Sequence, residues 1–101
     1  MDQYLSIASD VKLGKDVKFH KFVNLYGCVI GDHTHIASGA RLAGNVVVGS
    51  GVHVGLGAVV REGIRIGDHA VVGAGAVVID DVLAHAVVVG VPARELKRVI
   101  S

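Results

Sequence analysis

A branched apolar residue recurs at every sixth position along this chain. From Ile7 the step of six reads Leu13, Phe19 and Leu25; from Ile30 it reads Ile36, Leu42, Val48, Val54, Val60, Ile66, Val72 and Val78. A second small or branched residue follows four positions after each anchor: Val11, Val17, Val23, then Thr34, Ala40, Val46, Val52, Ala58, Ile64, Ala70, Ala76 and Val82. Helices repeat at about 3.6 residues and strands at about 2. A period of six instead fits a short strand plus a corner. Three such units close a triangular coil, and successive coils stack at about 4.8 Å, the spacing of paired strands. The expectation is an all-β chain folded as a parallel β-helix, a quasi-one-dimensional solenoid. Strands of a sandwich would alternate and be interrupted by turns roughly every 8–12 residues, which this beat does not do.

The beat breaks once. In "LYGCVIGDHTHI", Leu25 to Ile36, the anchors Leu25 and Ile30 are five apart, and His33 and His35 follow at once. Cys28 takes the inner position of this short hexad. The 101 residues form one expected domain, with regular coils over about 7–82 and a terminal strand and short capping helix over 83–101. In the tail, "AVVVGVPARELKRVIS", the turn falls at Gly90–Pro92 and the helix carries basic residues.

Composition agrees with a narrow core. Hydrophobic residues make up 51% of the chain but aromatics only 4%, so burial rests on Val, Ile, Leu and Ala rather than on large rings. Fourteen Gly suit many tight corners. A net charge of +1 argues against nucleic acid as partner, because phosphate binding needs a concentrated basic surface. A single Cys excludes an internal disulfide framework and a Cys-rich zinc site. No apolar run is long enough for a spanning helix. The opening "MDQYLSIASD" has neither the basic nor the apolar region of a signal peptide, so a cytoplasmic location is the default expectation.

Anchors followed by glycine, in "IGDHAV", "VGSGVH" and "VGAGAVV", resemble the hexapeptide-repeat acyltransferase superfamily. The resemblance implies a left-handed β-helix, a homotrimer and acetyl- or acyl-CoA as donor. Handedness comes from the resemblance alone, since crossovers between parallel strands are usually right-handed. "FVNLYGCVIGD", Phe22 to Asp32, looks like N-acetyltransferases of nucleotide-linked 3-amino sugars. The longer stretch His35 to Val78, with "VVVGVPAREL", looks like the sialic-acid O-acetyltransferase and bacillosamine N-acetyltransferase group. That group carries a His-Asp or His-Glu pair as general base just before its Cys-x-Ile-Gly segment. Here Tyr26 and Gly27 stand in that place, and an unperturbed Tyr is a poor base at neutral pH. The group also carries an N-terminal sugar-nucleotide domain that these residues do not match, so a reduced substrate site, a fragment, an engineered protein and a degenerate relative all stay open.

Several residues carry the functional expectation. His53 follows His35 by eighteen residues, so both should stack on adjacent coils of one face. His35 is the candidate general base or a ligand-positioning donor, tasks that suit a group titrating near neutral pH; the resemblance of "HIASGA" implies a His lining the acyl-CoA site, and an interface role is the alternative. His33 and His69 fall at corners, while His20 and His85 carry no motif. Asn24 matches the Asn of "VNLYG" and is a candidate for hydrogen bonding the acceptor, or else a turn residue. Gly57, Gly75 and Ala76 are candidate backbone contacts for the pantetheine arm of CoA. Arg94, Lys97 and Arg98 could meet its phosphates or form a solvated face. Leu56, Val59 and Val77 form an outward apolar strip suited to a trimer contact. Three function classes result. The first is an acyl-CoA-dependent acetyltransferase acting on the amine or hydroxyl of a sugar or nucleotide sugar. The second is a trimeric scaffold without turnover. The third is a zinc enzyme similar to the γ-class carbonic anhydrases, whose Arg-Gly-Asp segment and His spacing the chain lacks; no metal is expected.

Overall fold

In the computed structural model, residues 6–7, 11–19, 24–25 and 27–98 are described. The strands, in chain order, are β1 (Ser6–Ile7), β2 (Lys12–Leu13), β3 (Lys18–Phe19), β4 (Asn24–Leu25), β5 (Val29–Ile30), β6 (His35–Ile36), β7 (Arg41–Leu42), β8 (Val47–Val48), β9 (His53–Val54), β10 (Val59–Val60), β11 (Arg65–Ile66), β12 (Val71–Val72), β13 (Val77–Val78), β14 (Ala86–Val89) and β15 (Arg94–Arg98). They build three faces of a parallel β-helix. Face one orders β1-β4-β7-β10-β13, face two β11-β8-β5-β2 and face three β15-β14-β12-β9-β6-β3.

From β4 to β13 each two-residue strand ends on an anchor buried in the core. Ile36, Val54 and Val72 pair in register and stack in one column. All three are fully buried, as are Leu25, Val60 and the inner residues Cys28, Val46, Ala58, Ala70 and Ala76. Leu13 departs from the expected burial: at the edge of face two it is 45% exposed, because no further strand covers it there among the described residues.

The shortened hexad lies where its spacing predicts. Lys12↔Val29, Lys18↔His35 and Asn24↔Arg41 are paired at an offset of seventeen, whereas Ser6↔Asn24 and His35↔His53 are paired at eighteen. A second shortening was not anticipated. Val82, read from the sequence as an inner residue four places after Val78, pairs instead with Ile66 and so occupies an anchor position. That coil is two residues short, and β12 and β14 pair at an offset of sixteen. The Asp81 carboxylate fills the gap in the ladder: its Oδ1 accepts the Arg65 N–H at 2.9 Å.

The tail corrects a second expectation. Instead of a capping helix, the chain reverses through residues 90–93, and β15 pairs antiparallel with β14, with a bulge between Val87 and Val88. The reason is local. The outer edge of β14 offers unpaired backbone groups that a returning strand satisfies, whereas a segment this short cannot repay helix nucleation. Arg94, Glu95 and Lys97 then leave a charged edge strand, which discourages further strand addition.

Candidate active site on face three

Three columns of left-handed corner residues join the faces. One contains Asp16, His33, Gly51, His69 and His85, a second Gly27, Asn45 and Gly63, a third Gly39, Gly57 and Gly75; all have φ between 51° and 76°. Asp, Asn and His enter this region more readily than other side chains, which explains why histidines can stand at corners without breaking the coil.

Face three lies between the first and third of these columns. Its outward column runs Lys18, His35, His53, Val71 and Val87, with Lys97 on the antiparallel strand. The His35 and His53 rings sit 4.8 Å apart and tilted by 51°, as the eighteen-residue count requires. His35 is half-buried and His53 exposed. An open groove of about 440 Å³ is lined by Asp16, Lys18, His33, Thr34 and His35. Within it, His33 Nδ1 lies 3.3 Å from Asp16 Oδ2. Thr34 anchors this corner from inside. Its fully buried hydroxyl donates to the Gly49 carbonyl at 2.8 Å and accepts the Val52 N–H at 3.4 Å.

The other candidates are distributed around the prism. Gly57 and Gly75 are exposed at the corner that closes face three on its far side, and a Cβ at either would meet nothing within 4 Å. Four residues separate His35 from Gly39 at the foot of that column, about 13 Å along the coil at the rise of an extended chain. Ala76 faces the core; its N–H bonds the Gly73 carbonyl and its carbonyl accepts the Val59 N–H, so both its backbone groups are engaged within the prism. Asn24 lies in face one, paired with Arg41. It is therefore on a different face from His35, and one chain does not bring the two together. Arg94 and Lys97 are exposed on β15, where they pair with Val89 and Val87. Tyr26 and His20 lie outside the described residues, as does the Arg98 side chain.

Sequence reasoning missed the Asp16–His33 contact, the Lys18 neighbour of His35 and the buried bonds of Thr34. The first two were open to a count of seventeen across the short hexad. Thr34 was visible as the polar member of an otherwise apolar inner column. Among the described residues, no three His, Cys, Asp or Glu side chains converge as a metal-binding group.

A protein-family profile described as bacterial transferase hexapeptide (six repeats) matches residues 10–44. Residues 10–44 are thus similar to hexapeptide transferase repeats. Solved structures extend the likeness along the prism. The serine acetyltransferase of Neisseria gonorrhoeae is 30% identical, with a TM-score of 0.85 over 96% of this chain and 41% of its own. The soybean serine acetyltransferase is 34% identical, with a TM-score of 0.85 over 89% of this chain and 42% of its own. A perosamine N-acetyltransferase variant from Caulobacter crescentus, in complex with CoA and GDP-perosamine, is 26% identical, with a TM-score of 0.75 over 96% of this chain and 57% of its own. The hexapeptide-repeat chain thus spans less than half the length of these two serine acetyltransferases. A comparison with curated proteins finds no match. Together these likenesses support the hexapeptide-repeat acyltransferase superfamily.

Proposed function

We propose that this prism transfers an acetyl group from acetyl-CoA to the amine, or the hydroxyl, of a sugar or nucleotide sugar, with His35 as general base. The observation that carries the reading is the position of His35: stacked on His53, beside Lys18, and on the face that ends at the open Gly57 and Gly75 corner. The acceptor nitrogen or oxygen attacks the thioester carbonyl, and its proton passes to the His35 imidazole. The C–S bond then breaks, and CoA leaves as a thiolate that takes up a proton. Removing such a base costs about 10²–10⁴ in rate. An amine can lose its proton to solvent before attack, so N-acetylation tolerates a displaced base better than O-acetylation. The perosamine enzyme supports the sugar reading by analogy, being a sugar N-acetyltransferase solved with CoA and GDP-perosamine.

A homotrimer in a cytoplasmic setting completes the proposal. Leu56 is 59% exposed beside the half-buried Val59 and Val77, an apolar strip that a neighbouring prism would cover. Asn24, on another face, would reach a His35 site only from a neighbouring subunit.

The test is CoA-thiol release with a panel of amino sugars, amino-sugar nucleotides and serine. We expect slow transfer to a sugar amine that falls about 100-fold in His35→Ala, with the trimer retained by light scattering and little change in His33→Ala. Full activity in His35→Ala removes it as the base. One observation favours a second reading, a scaffold without turnover: Gly27, in the place of the family's acidic partner, brings no side chain to its left-handed corner. Absence of acetyl-CoA binding by calorimetry at millimolar ligand would favour that reading.

A further inference from the structure

The two-residue shortening after Val78 has a chemical consequence. A regular coil would set residue 87 over His69; the short coil sets His85 there instead. The His85 N–H donates to the Asp68 carbonyl at 2.9 Å, and the His69 N–H to the Ser50 carbonyl at 2.8 Å, so the corners form one ladder. Packing holds them close: a Cβ at Gly67 would lie 2.4 Å from the Ala84 nitrogen. The two imidazoles sit 5.2 Å apart with planes inclined by only 22°. Below them, Gly51 leaves room for the His69 ring, since a Cβ there would lie 2.5 Å from His69 Nδ1. The Asp68 carboxylate is tied back to the coil below, its Oδ1 accepting the Ser50 N–H at 2.9 Å, which fixes the start of the His69 corner.

We propose that His69 and His85 form a two-imidazole site for a borderline divalent transition ion, with Zn²⁺ as the probe. Neutral imidazole is a preferred ligand for such ions, at a Zn–N distance of about 2.0–2.1 Å. Two nitrogens on one ion therefore lie within about 4.2 Å of each other. Small rotations of the two side chains bring the rings from stacking to convergence on a shared ion. His69 is exposed and His85 half-exposed, so these rotations meet little obstruction. Water fills the remaining positions. The site stands apart from the His35 groove and does not depend on acetyl transfer.

The test is Zn²⁺ titration of the full chain by calorimetry at neutral pH, with imidazole resonances followed by NMR. His69→Asn and His85→Asn are the informative variants, because Asn also accepts the left-handed backbone and the coil stays intact by circular dichroism. We expect one Zn²⁺ per chain, broadening or shifts confined to the His69 and His85 rings, and loss of the binding heat in either variant. His53→Asn should retain it. Absence of binding to the unaltered chain, retention in both corner variants, or loss in His53→Asn alone would overturn the assignment.

Discussion

Two glycines eight residues apart test whether the coil is understood, because each is needed for a different reason. Gly55 has no left-handed backbone but is crowded: a Cβ would lie 2.6 Å from the Ala74 nitrogen and 2.8 Å from the Val72 oxygen. Those atoms belong to the next coil, and the Gly55 N–H bonds that same Val72 oxygen at 2.8 Å. Gly63 is the reverse case, with φ +76° and nothing within 4 Å of a Cβ. Gly63→Ala therefore meets only left-handed strain, about 1–2 kcal/mol. Part of this is offset by about 0.4–1 kcal/mol from a stiffer unfolded chain. The net loss is about 1 kcal/mol, which lowers the melting temperature of a domain this size by about 4–8 °C. Gly63→Asn should cost less, since Asn45 holds the same corner one coil away at φ 63°. Gly55→Ala must push two hydrogen-bonded coils apart, at the upper end of overpacking, about 3 kcal/mol or more, and a fall of about 12 °C or more. Thermal melts followed by circular dichroism at constant protein concentration read all three. Equal shifts at the two alanine sites, or a milder effect at Gly55, would refute the division between crowding and backbone strain.

Other substitutions probe the core and the site. Ile36→Ala removes a fully buried anchor stacked on Val54 and should cost about 2–5 kcal/mol in urea unfolding. Thr34→Val keeps the volume but strips the Gly49 carbonyl of its buried donor, for a loss of about 1–3 kcal/mol; Thr34→Ser, which keeps the hydroxyl, should lose less, and the opposite order would assign Thr34 to packing. If Arg94 and Lys97 meet CoA phosphates, changing both to Ala should weaken CoA binding and flatten its dependence on ionic strength in calorimetry; an unchanged salt dependence would leave them as a solvated edge.

Much of the architecture was legible because the six-residue beat names the buried anchor of each strand from β4 to β13. The stacking of His35 on His53 followed from the same count. The shortening between Leu25 and Ile30 was visible because an aliphatic anchor arrives one place early. The shortening after Val78 was hidden, because Val82 stands where a branched inner residue is also expected. Composition alone cannot tell an inner residue from an anchor there, so His85 was left without a partner. The tail "ARELKR" has a spacing compatible with a helix, and only the open edge of β14, a tertiary feature, turns it into a strand. The separation of Asn24 from His35 was already implied, since eleven residues are two strands of a three-strand coil.

Both shortenings leave the columns intact, and the physical reason is the core. A slip of one residue along a strand exchanges its two faces. At β3 such a slip would turn the Lys18 ammonium inward and Phe19 outward, and at β9 it would bury His53 in place of Val54. Corners have no such constraint, because their side chains face solvent and their backbone bonds can be replaced locally, as the Asp81 carboxylate does for Arg65. Length changes are therefore absorbed at corners while each strand stays in register. The outward column is correspondingly free: on face three it carries Lys18, His35, His53, Val71 and Val87 over an inward column of Phe19, Ile36, Val54, Val72 and Val88. Chemistry can vary in the first column without disturbing the second. A change of side chain in the outward column therefore leaves the packing of the inward column unaltered.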